Sequence, residues 1–229
     1  IRYATERFLL RLQESEYKDN FIIKGGFLLG TIFKVEQRTT KDLDTLLKGI
    51  SADRKNVTKM LETIINIELD DGVQFELINL LDSQQERIYD GFRAKFKMTF
   101  LEEKSIVQFD LDLGVGDTIT PQAEVIDIPL LFNEKKGERK AITLYAYPIE
   151  TILAEKTEII LNLGTKNSRM KDFYDIYYLS RTFDFEGAKL QSAVFETLQR
   201  RGTPYDRNSF KRVVALAEDE DMQKRWKYF

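Results

Sequence analysis

Apolar residues recur near helical spacing through IRYATERFLLRL, which predicts a helix over Ile1–Leu12. Polar residues Glu14–Asn20 interrupt it, and NFIIKGG (20–26) then reads as a short β-rich run stopped by two glycines. FLLGTIFKV (27–35) continues as a buried helix, and Lys41–Leu47 returns as a strand. Ser51 and Asp53 stand where caps belong for a helix over Arg54–Ile67, whose Val57, Met60, Leu61, Ile64 and Ile65 share one face. The middle of the chain changes period: Val73–Leu81, Phe92–Leu101, Ser105–Leu113, Glu124–Leu131 and Ala141–Ala146 all favour strands. After Pro148 the pattern is helical over Ile149–Leu163, Met170–Phe183, Gly187–Arg201 and Asn208–Glu218. The expectation is a mixed α/β lobe over 1–147 and a helical lobe over 148–229, with a cleft between them.

Composition narrows the chemistry. The 229 residues include neither cysteine nor histidine, which removes thiolate metal sites, disulfides and every mechanism that relies on an imidazole base. A net charge of −3 exerts no global pull on nucleic acid, so any polyanion must meet a local basic patch. No apolar run approaches the ~20 residues of a membrane span and no signal peptide opens the chain, so a cytoplasmic protein without a membrane partner is expected. The chain opens on Ile1 within a helical pattern, and a leading segment is expected to precede it. Carboxylates, lysines, arginines, tyrosines and a bound hard cation are left to do any catalysis.

Two stretches concentrate the acids. RTTKDLDTLLKG (38–49) sets Asp42 and Asp44 on either side of Leu43, and FDLDLG (109–114) sets Asp110 and Asp112 on either side of Leu111. In a strand, residues two apart leave the same face, with Cα atoms roughly 6.6–6.8 Å apart. Each pair of aspartates therefore projects together while the leucine points inward. A single such pair is commonly a solvated strand face. Two pairs on adjacent strands would crowd four carboxylates, which a divalent cation would relieve; magnesium suits oxygen ligands and leaves positions for phosphates, with manganese the alternative.

Lys24–Gly26 (KGG), the run R-x-T-x-D-L-D from Arg38 to Asp44, DLGVGD (112–117), YPIETILAEK (147–156) and NSRMKDFYDIYYL (167–179) together resemble the AbiEii/AbiGii toxin family of polymerase-β-like nucleotidyltransferases. The resemblance runs in order from about Tyr3 to Leu179. It implies an α+β fold, with a mixed-sheet nucleotidyltransferase lobe followed by a helical C-terminal lobe. It also implies a magnesium-dependent enzyme that transfers nucleotides from an NTP to an RNA, with the tRNA 3′ end as favoured acceptor. Such toxins block growth in toxin–antitoxin or phage-defence systems and are paired with a separately encoded antitoxin.

Residue by residue, the resemblance assigns Gly25 and Gly26 to the phosphate-facing turn; the serine often found there is absent. Asp42 and Asp44 match the metal-binding pair, Asp112 the third carboxylate and candidate proton acceptor, and Asp110 an additional acid beside the metal. Lys156 matches a catalytic lysine. Arg38, Thr40, Arg169, Lys171, Asp172 and Asp175 match positions around the nucleotide. Plain alternatives stand beside these: Lys156 as a solvated lysine between Glu155 and Glu158, Asp172 and Asp175 as ion-pair partners of Arg169 or Lys171, and Tyr174, Tyr177 and Tyr178 as packing. NEKKGERK (133–140) reads as a solvated loop. Two other readings of the whole chain are transfer to a protein or small-molecule hydroxyl, and a nucleotide- or RNA-binding module without turnover.

Overall fold

The computed structural model describes residues 1–32, 42–51, 53–82, 91–117, 119–132 and 141–229. Contacts divide the chain into two compact units: Ile1–Gly116 with Glu124–Ala146, and Asp117–Ala123 with Tyr147–Phe229. The architecture is α+β, as the family resemblance implies, and no helix among the described residues is long and apolar enough to cross a membrane.

The first unit holds α1 (Arg2–Glu14), β1 (Phe21–Lys24), α2 (Gly25–Ile32), β2 (Asp42–Leu47), α3 (Arg54–Ile65), β3 (Val73–Asp82), β4 (Gly91–Phe100), β5 (Ile106–Val115), β6 (Glu124–Pro129) and β7 (Ala141–Ala146). The seven strands form one sheet in the order β3-β4-β5-β2-β1-β7-β6. Pairing is parallel between β2 and β5 and between β1 and β7, and antiparallel elsewhere.

Alternation gives the central strands two different faces. Leu43, Leu111, Ala94 and Phe96 point to one side and are buried. On that side Phe8 of α1 packs against Phe96 and Phe109, with ring centroids 5.3 and 5.8 Å away. Helix α3 joins this layer through Val57, Met60, Leu61 and Ile64. Its start is fixed by Asp53, whose carboxylate accepts the Asn56 amide at 2.9 Å and the Ser51 hydroxyl at 3.0 Å. The opposite side of the same strands carries the acids.

The second unit is helical: α4 (Ile149–Leu163), α5 (Met170–Thr182), α6 (Gly187–Arg200), α7 (Ser209–Ala215) and α8 (Glu220–Tyr228). Its interior holds an unusual load of charge. The Arg201 side chain, 3% exposed, lies 2.9 Å from both Glu155 and Glu158 and 3.5 Å from Asp117. Thr203 donates to Glu158, and the Tyr147 hydroxyl donates to Glu155 at 3.2 Å. Burial, followed by the charges of Glu155 and Asp117, pushes the Tyr147 phenol well above its ordinary pKa.

Candidate active site

Strand register assembles the acidic residues. Asp42 and Asp44 of β2 stand directly opposite Asp110 and Asp112 of β5. The same row continues outward on both sides: Lys24 of β1 opposes Asp44, and Arg93 of β4 opposes Asp112. One step along, Lys95 opposes Asp110. Residues opposite one another in a ladder share a face, so Lys24, Asp44, Asp112 and Arg93 form a charged line across four neighbouring strands. The adjacency expected of the two aspartate pairs is present, with the chain's own cations at both ends.

The Arg93–Asp112 pair is the best-defined contact in this line. Arg93 Nε donates to Asp112 Oδ1 at 2.8 Å and Nη2 donates to Oδ2 at 3.0 Å, a bidentate geometry. The Asp112 side chain is 2% exposed and that of Arg93 36%. Hydrogen bonding to Asp112 raises the Arg93 pKa above its already high value, outweighing desolvation, and the charges of Asp112, Asp42 and Asp110 add to the rise. Arg93 is thus a permanent cation inside an acidic field. Sequence reasoning missed it, because in GFRAKFK the alternation of Arg93, Lys95 and Lys97 looks like a solvated strand face.

The glycine turn meets the acids directly. Gly25 begins α2 with φ +68°, a conformation that a side chain disfavours. A Cβ there would lie 2.7 Å from Asp44 Cβ and closer still to its carboxylate, so the backbone at the head of α2 presses against Asp44. Gly26 follows within the first turn, where helix amides lack intrahelical acceptors and suit an anion. Lys24 reaches along the same face: its Nζ lies 3.5 Å from where a Cβ on Gly114 would stand.

The divalent cation expected from the sequence meets this donor set only in part. Asp42 and Asp44 supply hard carboxylate oxygens on one strand face beside the glycine turn, which fits a magnesium-type ion. Asp112 already has a cation in contact, one guanidinium N–H of Arg93 on each of its oxygens, so a metal there would have to share the carboxylate with Arg93. Among the described residues, no group of three or more acidic side chains is gathered to hold a metal.

In the helical unit, α4 and α5 bring together Lys156, Arg169, Asp172 and Asp175. Lys156 Nζ lies 2.8 Å from Asp172 Oδ1 and 2.7 Å from Asp175 Oδ2, and Arg169 Nε lies 2.7 Å from Asp172 Oδ2. Lys156 is 8% exposed. It is therefore no solvated neighbour of Glu155 and Glu158; Glu158 is turned instead towards Arg201. The i,i+3 spacing that set Asp172 and Asp175 on one side of α5 presents both to a single ammonium. Arg169 is 59% exposed and Lys171 is exposed, so the cluster offers cations at its surface. Tyr177 is 58% exposed, whereas Tyr174 and Tyr178 stack on each other. Arg38 and Thr40, with the loop 133–140, lie outside the described residues.

Comparison with known proteins bears on this arrangement. A sequence profile described as "Nucleotidyl transferase AbiEii toxin, Type IV TA system" matches residues 7–229. Among solved structures, MenT4, the nucleotidyltransferase toxin Rv2826c from Mycobacterium tuberculosis H37Rv, is similar in fold. Its TM-score is 0.60 at 17% identity, covering 98% of this chain and 85% of that one. JHP933 from Helicobacter pylori matches with a TM-score of 0.48 at 14% identity, covering 99% and 90% of the two chains. No curated protein sequence matches.

Proposed function

Because the chain belongs to the AbiEii nucleotidyl transferase toxin family of type IV toxin–antitoxin systems, we propose that it moves a nucleotide from a nucleoside triphosphate onto an RNA hydroxyl. The favoured acceptor is the 3′ end of a tRNA, and the transfer arrests growth in the cytoplasm in the absence of a separately encoded antitoxin. Phage defence is the setting in which such an arrest serves the host. The observation that carries this reading is the register that sets Asp42 and Asp44 opposite Asp110 and Asp112, with Gly25 pressed against Asp44.

The chemistry is a displacement at the α-phosphate. The acceptor hydroxyl oxygen bonds to phosphorus, the bond to the bridging oxygen of pyrophosphate breaks, and the hydroxyl proton passes to solvent or a carboxylate. A magnesium ion, with manganese the alternative, would be held by Asp42 and Asp44 and would supply charge stabilisation to the phosphoryl oxygens. The amides at Gly25 and Gly26 face the phosphates at the head of α2. Arg38 and Thr40, a few residues before Asp42 in sequence, add contacts to the triphosphate in this reading. Arg169 and Lys171 contribute exposed positive charge, while Lys156, Asp172 and Asp175 hold the surface that presents it. Asp110 adds to the field that draws a cation towards the face. Asp112, which the sequence suggested as proton acceptor, orients Arg93 for as long as their bidentate pair persists.

The test is incubation of the protein with each α-labelled nucleoside triphosphate in turn, with magnesium and total cellular RNA. Label is expected in an RNA-sized product that ribonuclease destroys. Label on protein or on a small molecule would reassign the acceptor. Absence of transfer by folded protein with every nucleotide would refute the proposed activity.

A further inference from the structure

Resting on the nucleotidyl-transfer reading, we propose that this site takes a single divalent cation, at Asp42 and Asp44, and that the Arg93 guanidinium is its fixed second positive charge, at Asp112. Two-metal phosphoryl-transfer sites need carboxylates that can bridge or ligate both ions. Here the third carboxylate already carries a cation of the chain's own. Asp112 is almost fully buried and gives both oxygens to Arg93 at 2.8 and 3.0 Å. A metal at Asp112 would have to share a nearly buried carboxylate with a guanidinium already in contact with both of its oxygens, which sets two cations against each other.

Backbone pairing holds Arg93 in place. It sits directly across from Asp112 in the β4–β5 ladder, and that pairing runs without a register shift from Gly91↔Gly114 to Thr99↔Ile106. The cation is therefore built into the sheet. Asp112 uses only the Nε and Nη2 edge of the guanidinium, leaving Nη1 outside the pair, and the side chain is 36% exposed. A planar guanidinium can grip a carboxylate on one edge and a phosphate oxygen on another.

The charge balance of the face points the same way. Four described carboxylates, Asp42, Asp44, Asp110 and Asp112, share it with three described cations at register positions, Lys24, Arg93 and Lys95. The chain has already offset most of the repulsion that a second metal would otherwise relieve.

The experiment counts bound Mn2+ by electron paramagnetic resonance on the full chain, saturated with a nucleoside α,β-methylene triphosphate that cannot transfer. One Mn2+ per chain is expected for the wild type. Asp112→Asn should leave that count unchanged. Arg93→Met should raise it to two, and adding Asp112→Asn to Arg93→Met should return it to one. Two Mn2+ in the wild type, with one lost in Asp112→Asn, would overturn the inference while leaving nucleotidyl transfer intact. A count that stays at one in folded Arg93→Met would also overturn it. No Mn2+ in nucleotide-saturated wild type would instead overturn the reading on which it rests. Should Arg93→Met fail to fold, the wild-type and Asp112→Asn counts still decide.

Discussion

Replacing Lys156 with methionine separates two roles that the sequence cannot. The Lys156 ammonium sits 2.8 Å from Asp172 and 2.7 Å from Asp175, with both aspartate side chains 2% exposed and the lysine 10%. Removing one partner of a buried ion pair costs roughly 3–5 kcal/mol, because the remaining charge keeps its desolvation penalty. Arg169 still covers the second oxygen of Asp172 at 2.7 Å, which argues for the lower end, about 3 kcal/mol. For a chain of this size each kcal/mol moves the melting temperature by ~2–4 °C, so Lys156→Met should melt about 6–12 °C below wild type. Removing the opposing charge as well, in Lys156→Met/Asp175→Asn, should recover part of the loss, with a coupling of at least ~1 kcal/mol in the double-mutant cycle. Thermal and urea unfolding of the four proteins measures both quantities. A single variant within ~1 kcal/mol of wild type, with an additive cycle, would refute the argument that Lys156 clamps α4 to α5. Its loss of transfer activity, measured where the variant is folded, would then report chemistry alone.

Other perturbations test neighbouring claims. Gly25→Ala combines an alanine at φ +68° with a Cβ 2.7 Å from Asp44 Cβ; about 2–4 kcal/mol of destabilisation is expected, and unchanged melting with unchanged nucleotide binding would contradict it. Arg201→Met leaves Glu155, Glu158 and Asp117 without their shared guanidinium and should destabilise by at least ~3 kcal/mol in denaturant unfolding. Tyr147 has a folded pKa raised above its unfolded value of ~10, so its contribution to stability is complete below that pH and is lost as pH climbs through the folded value. Absorbance at 295 nm during alkaline titration should show a late-ionising tyrosine that disappears in Tyr147→Phe.

Much of the fold was legible because its signals are local. The span of α4 follows from the helical pattern that begins after Pro148, β1 from a short apolar run before two glycines, and β2 and β5 from apolar runs with period-two acids. The two D-x-D pairs announced a charged strand face for the same reason. What lay beyond local pattern was which strands meet. That β2 pairs with β5, and β5 with β4, is decided by how the sheet is wound, and only that pairing reveals Arg93 as the partner of Asp112. Glu158 was hidden in the same way: within IETILAEKTEIILNL it looks like one more helix acid, yet it is fully buried against Arg201, forty-three positions away. Helix α8 went unread because its apolar residues are few. Its start is set by a single side chain, Asp219, which accepts the Met222 amide at 2.9 Å.

The most direct measurement is the rate at which label passes from an α-labelled nucleoside triphosphate to RNA, compared between wild type and Asp44→Asn at matched melting temperatures. Asp44 shares its strand face with Asp42 and lies against Gly25, and the near-isosteric asparagine keeps that packing, so the fold should stay intact. Losing several kcal/mol of charge stabilisation at the phosphates should slow transfer by about 100-fold or more. An Asp44→Asn protein that is folded and transfers nucleotide at the wild-type rate would contradict the assignment of this face as the active site.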